Sequence, residues 1–430
     1  MPAEEHHLSP YSREASHRRS RFNFLRMFPD AVGWPVGWAV MQPDTILPAF
    51  VSRLGGGELG VGLIRGIYSF GVWLPSLWAA RAVRGVRKRG PFVVVLGLVE
   101  RIPMLVAAFA ALSLGRSHPG VALTVFYLCW AVRSLAEGVN RPAYSQLLTE
   151  SVRASHRGRF WGYSTVACAL VAVPWSLWAS GRLKSMAFPE GYVLLFLVGF
   201  GILTITLVPL WWVRERVAGR VHPDHVPSGL RSLKLLSRRP AFGYFTLVTA
   251  IGAVADMAAP FYVVHALKVL GAPEHYAALY SGAYVAAGAL AAYVLGVWAD
   301  RAGNRRALLC AGAMSLAAPL AAGVLATPTA FFGVFVLLGA GASCMALYGY
   351  NMLLEVVPPQ EAAAYCGAHY GVVEPVRAVA PVLGALIVRH AGTPWAFGPA
   401  AIIYAAWLVL VFRMRDPRQR RQGAASGAPT

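Results

Sequence analysis

Along the chain, apolar residues gather in blocks of about twenty, the length at which an α-helix crosses the hydrocarbon of a bilayer. Twelve blocks can be drawn, at 27–51, 57–81, 91–114, 119–147, 159–181, 189–213, 241–266, 274–299, 306–326, 329–355, 361–388 and 393–413. Several contain proline, which a membrane helix tolerates because its neighbours satisfy the freed backbone groups. The longest interruption, "RERVAGRVHPDHVPSGLRSLKLLSRRP" at 214–240, divides the blocks six and six. The pattern predicts an all-α membrane protein with twelve transmembrane helices.

The two halves look like relatives. "QLLTESVRASHRGRFWG" (146–162) aligns without a gap on "NMLLEVVPPQEAAAYCG" (351–367), matching Glu150 with Glu355, Phe160 with Tyr365 and Gly162 with Gly367. A second echo sets "WAARAV" (78–83) against "WADRAG" (298–303). The matches recur at equivalent places, after the fourth and tenth spans and after the second and eighth. Duplication of a six-helix unit explains both.

Charge then orients the chain. Of 39 Lys and Arg residues, 28 fall in the tails, at span edges and in the even-to-odd loops, and six fall in the alternate loops. By the positive-inside rule both termini are expected in the cytoplasm of a plasma, or bacterial inner, membrane. The net charge of +20 carries no aromatic-studded basic face, so nucleic acid is not an expected partner. All five cysteines lie in apolar blocks without disulfide or metal spacing and are expected to pack. Residues 1–26, too poor in apolar residues for a signal peptide, are expected to be a partly disordered cytosolic tail. In the linker, Leu230, Leu233 and Leu236 oppose Arg231, Lys234 and Arg238, which suits a short helix on an anionic membrane surface or a solvated linker.

Between spans 8 and 9 stands "GVWADRAGNRRALL", with Gly296, Asp300, Arg301, Gly303, Arg305 and Arg306. A carboxylate at one helix end meets the next helix start and several cations there, a charge latch between neighbouring helices. At this loop the sequence resembles the major facilitator superfamily, whose G-x-x-x-D-R-x-G-R-[RK] signature occupies it. The resemblance implies two pseudo-symmetric six-helix bundles, at 27–213 and 241–413, joined by the 214–240 linker and flanked by tails at 1–26 and 414–430. It further implies a midplane substrate site and alternating access, with the 296–306 residues and, after span 4, Arg157, Gly158 and Arg159 belonging to a cytoplasmic gate. The first-half copy of the motif departs from the pattern: Ala80 stands where Asp300 stands in the second half, and a purely basic "RGVRKRG" follows. Span 4 reads "RSLAEG", one residue longer than the R-x-x-Q-G of proton-coupled members, and span 5 lacks the Gly-Pro motif of drug/proton antiporters.

Charges inside spans are costly, about 2.5–3.5 kcal/mol each on the insertion scale, so they face protein or a watery cavity. At about 1.5 Å per residue, Glu100 lies about 13 Å from the cytosolic end of span 3, nearly level with Arg133 and Glu137 at about 20 and 13 Å on span 4. Arg133, Glu137 and Arg141 share one helix face by their i, i+4, i+8 spacing. Glu100 and Arg101 point about 100° apart and are expected not to pair with each other; Glu100 is expected to reach Arg133 or Arg141. Whether that cluster serves transport or only tethers spans 3 and 4 stays open. Asp44 and Arg65 lie about 10–12 Å in from the outer side, and Asp256 and Arg377 are near-level with each other, with Glu374 one turn from Arg377. Spans 1, 4, 7 and 10 line the cavity in the family it resembles, so Asp44, Arg133, Glu137 and Asp256, with Arg377 and Glu374, are the pathway candidates. Glu100, Arg101, Arg141 and Arg65 are the remaining intramembrane charges. Gln42, Tyr348, Tyr350, Asn351 and His369 are expected to pack.

"GGGELG" at 55–60 follows no strand and reads as an outer turn rather than a dinucleotide loop. His222 and His225 have loose metal-like spacing without partners, and neither metal nor cofactor is expected. With no nucleophile arrangement or ATP-binding loop, the expectation is a monomeric, non-enzymatic secondary transporter for a small polar or charged solute, coupled to a gradient or to protons. A drug/proton antiporter and a non-transporting sensor are the alternatives.

Overall fold

The computed structural model describes residues 10–414 apart from 85, 87, 153, 216–232, 359 and 360. Most of the expected linker helix, with His222 and His225, lies outside the described residues, as does the C-terminal tail beyond Met414. The described residues contain helices and no strand. The first half comprises α1 (Pro10–Ala39), α2 (Ile46–Arg53), α3 (Gly57–Arg84), α4 (Arg89–Leu114), α5 (Pro119–Ser151), α6 (Ala154–Ser185) and α7 (Glu190–Leu207), the last prolonged by a 3-10 turn Val208–Trp212. After a short α8 (Leu235–Arg238) come α9 (Pro240–Val254), α10 (Phe261–Lys268), α11 (Tyr276–Ala302), α12 (Asn304–Val324), α13 (Phe332–Val356), α14 (Ala362–Ala391) and α15 (Pro394–Arg413).

Ten of the expected spans coincide with stretches long and apolar enough to cross a membrane. The other two, 27–51 and 57–81, are helical as well, but the first is interrupted and the second carries Arg65 in its middle. Three expectations are corrected. The N-terminal tail is not irregular as far as residue 26, because α1 begins at Pro10 and buries Ser20, Asn23 and Met27 on one face. Their i, i+3, i+7 spacing gives a polar stretch a packing face that its composition conceals. The first span is broken at 40–45, where Pro43 removes a backbone donor and disfavours a helical residue before it. The seventh is broken too, α9 giving way to a 3-10 turn at Ala255–Ala258 before Pro260 and α10. Among the described residues of the linker the buried leucine is Leu235, off the expected apolar stripe, while Leu230 lies outside the described residues.

Burial divides the molecule by depth. At the end away from the linker, one core draws on both halves: Phe50, Ile64, Trp130 and Phe196 pack in the same cluster as Phe261, Tyr280, Phe335 and Phe397. Toward the linker end the cores are separate. Met27, Leu147, Phe160 and Leu210 fill one in the first half, and Phe242, Leu308, Tyr348 and Trp407 fill one in the second. The seam follows α3 along α14 and α6 along α11. Glycines make the approach possible: a Cβ on Gly62 would stand 2.6 Å from the Pro381 carbonyl oxygen, and one on Gly66 2.9 Å from that of Ala378.

Within the second half, α11 and α13 come closer still, for a Cβ on Gly339 would meet the Tyr284 carbonyl oxygen at 2.0 Å. Gly339→Ala is expected to lower stability by about 1–3 kcal/mol through this overlap. Gly333→Ala, on the same helix with open space around it, should be neutral. Thermal melting of the two purified variants in detergent checks the contrast.

Candidate functional site

The two helix breaks occupy corresponding places, in the first span of each half, and each presents an aspartate. Asp44 lies in the turn before α2 and is 6% exposed; Asp256 lies in the 3-10 turn between α9 and α10. A broken membrane helix exposes backbone polar groups, and such breaks are tolerated where they border protein or a cavity. Both aspartates converge on Arg65 of α3. Arg65 pairs closely with Asp44, and its Nη2 is 3.9 Å from Asp256 Oδ2 across the seam. Asp256 also accepts from Arg377 Nε at 3.1 Å and from the Tyr404 hydroxyl at 3.4 Å, and Arg377 Nη1 reaches Glu374 Oε1 at 2.5 Å. Asp44, Arg65, Asp256, Arg377 and Glu374 thus form one chain of charges from half to half.

A second network fills the first half. Arg133 is 2% exposed and joins Glu137 Oε2 at 3.0 Å to Glu100 Oε1 at 3.3 Å. Its guanidinium carbon stands 4.1 Å from the Trp38 ring centroid and 5.0 Å from that of Trp130, so aromatic faces share its charge. Glu137 further accepts from Tyr68 at 2.8 Å and Arg141 at 3.3 Å. Asn140 donates to Glu100 at 3.4 Å. The side chain of Arg141 is 59% exposed, which makes it the open end of this network.

Glu100 therefore meets Arg133 rather than Arg141. The expectation that Glu100 and Arg101 stay apart is corrected: Arg101 Nη1 lies 4.0 Å from Glu100 Oε2. Long side chains bend back toward each other despite diverging Cβ directions. Arg101 spends its stronger contacts elsewhere, donating to the carbonyls of Leu203 at 3.0 Å and Gly97 at 2.9 Å, with Asp30 at 3.6 Å.

The 296–306 turn behaves as a helix-end clasp. Gly303 takes φ 92° between α11 and α12, a conformation open to glycine. Asn304 donates to Glu355 at 2.8 Å, and Arg305 donates to the Val411 and Phe412 carbonyls at the end of α15. Cations favour a helix C-terminus, which explains that placement. In the first half Arg89 pairs with Glu150, the repeat partner of Glu355, and the Glu215 carboxylate accepts the backbone amides of Arg89 and Gly90 at 2.8 and 2.7 Å. Gly296 lies on α11, while Asp300, Arg301, Arg306 and, on α6, Arg159 are exposed at the same end. The side chains of Ala80, Arg157 and Gly158 lie outside the described residues. Of the remaining polar candidates, Gln42 and His369 are buried, His369 bonding Thr246 at 3.0 Å, and Tyr348 donates to the Ala292 carbonyl at 3.3 Å. Tyr350 is half exposed and Asn351 partly buried.

Sequence reasoning passed over Asp30, which stands three residues inside the expected first span and so resembled an interfacial acid. It also missed Tyr68, Asn140 and Tyr404, neutral residues with no charge to flag them. A clasp at the far end was missed entirely: Arg53 of the first half holds Glu274 of the second at 3.0 Å, with Tyr192 donating to Glu274 at 2.8 Å, and Lys268 of the second half reaches Glu58 of the first at 3.3 Å. Loop charges carry no sequence signal of their partners.

Residues 247–429 match the family model described as Major Facilitator Superfamily. No curated protein matches the chain. Among solved structures, a mutant of the nucleoside transporter NupG aligns with TM-score 0.70 at 12% identity, over 91% of this chain and 98% of that one. A D-xylose-proton symporter aligns with TM-score 0.67 at 11% identity, over 92% and 98%. A bacterial homologue of the human lysosomal transporter Spinster, in an inward-facing and unoccupied conformation, aligns with TM-score 0.63 at 14% identity, over 94% and 95%. At these identities the likeness is one of fold.

The first-half network yields a stability test. Removing one partner of a buried ion pair strands the other, so Arg133→Gln is expected to cost about 3–5 kcal/mol. The triple variant Glu100→Gln/Arg133→Gln/Glu137→Gln, which strands no charge at these positions, should recover much of that loss in thermal melting.

Proposed function

For a chain of the major facilitator superfamily, matched by sequence in its second half and by fold over its length, we propose the function of a secondary active transporter. It moves a small polar or charged solute across a plasma membrane, the bacterial inner membrane, as a monomer with both termini in the cytoplasm. The observation that carries this reading is the convergence of two broken helices, one from each half, on Arg65 at the seam. A seam held by charges at mid-depth can open to either side as those charges change partners.

In the proposed orientation the far end faces outward. The shared core and the Arg53–Glu274 and Lys268–Glu58 pairs close that end, and the separate cores at the other end support access from the cytoplasm as the side that opens. Asp44, Asp256 and Glu374, with Arg377, line the solute or proton pathway at the seam, and Arg133 and Glu137 support it from the first half. The seam network counts three carboxylates against two guanidiniums. Taking up one proton or one cationic group would balance it, and this supports coupling to a proton or solute gradient. The 296–306 turn, with Arg157 and Arg159, serves as the cytoplasmic gate.

Liposomes containing purified protein test the reading, with solutes first selected by the thermal stabilisation they confer. Gradient-driven accumulation of a binder is expected; a ligand that binds without ever crossing would point to a sensor instead. Asp256→Asn is expected to lose accumulation while keeping exchange of solute across the membrane, since exchange needs no net coupling. Equal accumulation by wild type and variant would remove Asp256 from the coupling role. Glu274→Gln should loosen outer closure by about 1 kcal/mol, roughly a fivefold population shift. Faster labelling of a Ser281→Cys reporter, in a background without the five native cysteines, checks it.

A further inference from the structure

Outside both networks, a group of cations gathers where α1 passes the end of α7's 3-10 turn. Arg26 lies with its guanidinium carbon 4.9 Å from the Phe22 ring centroid, and Arg214 lies 4.3 Å from the same centroid. Arg26 also stands 5.7 Å from the Trp212 ring, and the exposed Arg21 neighbours Phe22 on α1. Among the described residues none of Arg21, Arg26 and Arg214 has a carboxylate within ion-pair distance. The nearest acid in sequence, Glu215, is turned away, both its oxygens being taken by the backbone amides that start α4. Two guanidiniums held against one ring, with no described carboxylate beside either, leave a local surplus of positive charge that attracts an anion.

The geometry is held rather than incidental. Asn23 grips Arg214 from both sides, donating to its carbonyl at 2.9 Å and accepting its amide at 2.9 Å, while also donating to the Ser151 carbonyl at 3.3 Å. Phe24 and Phe28 pack on Phe160 at 5.2 and 6.3 Å, fixing α1 against the start of α6. Trp211 and Trp212 are 48% and 53% exposed at the end of the apolar stretch Glu190–Trp212. Exposed tryptophans at the end of a span mark the headgroup level of the bilayer.

We propose that Arg26 and Arg214 form a binding site for the headgroup phosphate of an anionic phospholipid, in the leaflet at the linker end. Charge complementarity selects the anion, and the exposed Trp211 and Trp212 beside it supply the apolar surface for the lipid's glycerol and upper acyl chain. A guanidinium pair suits a phosphate because each offers planar, paired donors. The lipid would bridge α1 and the end of span 6, where the separate first-half core begins.

The test is native mass spectrometry of delipidated full-length protein titrated with dioleoylphosphatidylglycerol and, separately, with dioleoylphosphatidylcholine. Wild type is expected to prefer phosphatidylglycerol. Arg26→Gln and Arg214→Gln should each weaken that lipid about fivefold, and the pair together about 25-fold, from the usual worth of a basic residue near an anionic surface. The charge-keeping pair Arg26→Lys/Arg214→Lys should retain the preference, which separates lost charge from lost packing on Phe22. Arg182→Gln, at the opposite end, serves as control. Equal retention of phosphatidylglycerol by the double Gln variant and this control would overturn the site, as would equal wild-type affinity for the two lipids. Melting of each variant in lipid-free detergent shows that loss of lipid is not loss of fold.

Discussion

A charge placed in hydrocarbon must find a counter-charge, and in this chain that requirement decides which helices stand side by side. Arg133 cannot sit 2% exposed at mid-membrane unless α4 brings Glu100 to it and Glu137 lies one turn away. Arg65 imposes the same demand across the seam, drawing the breaks of the first and seventh spans toward α3. Dispersion and glycine contacts then complete an approach that the charges specify.

The duplicated architecture gives those charges their symmetry. Each half begins with a helix that breaks, and each break carries an aspartate, so a single arginine on the second span can serve both. The helix ends repeat the scheme with altered chemistry. Arg89 meets Glu150 in the first half, and Asn304 meets Glu355 in the second. Glu215 caps the start of α4, whereas Arg305 caps the end of α15. The same junction, the last helix of a half against the start of its third, is sealed by an acid at amides in one case and by a base at carbonyls in the other, as the helix dipole allows. Loss of the acid at Ala80 thus leaves the first half with another fastening of its own.

Asymmetry between the two ends carries the functional reading. A core common to both halves binds one end, and separate cores leave each half free to move as a body at the other. Interfaces of this kind are bistable rather than elastic, because packed side chains exchange partners in discrete steps. The seam network suits such a step: Arg65 already has a partner in its own half when its contact with Asp256 is given up.

Much of this was legible in the sequence because a bilayer imposes one-dimensional rules. Span length, the excess of basic residues in alternate loops and the Gly296–Arg306 turn follow from rise per residue, membrane thickness and helix-end electrostatics, so they can be read without contacts. Depth alone brought Glu100 nearly level with Arg133 and Glu137. What depth cannot give is rotation and bend. Glu100 and Arg101 approach because flexible side chains curl, α1 extends ahead of the expected span where Ser20, Asn23 and Met27 find a surface to pack on, and Asp44 and Asp256 share Arg65 because two helices break. The clasp of Arg53 with Glu274 joins the end of α2 to the turn before α11, more than two hundred residues apart. Sequence determined where ten stretches of membrane-spanning length and apolarity fall, since each depends on local composition against a fixed slab. Tertiary structure alone decided which charges meet, since pairing depends on where separate helices come to lie.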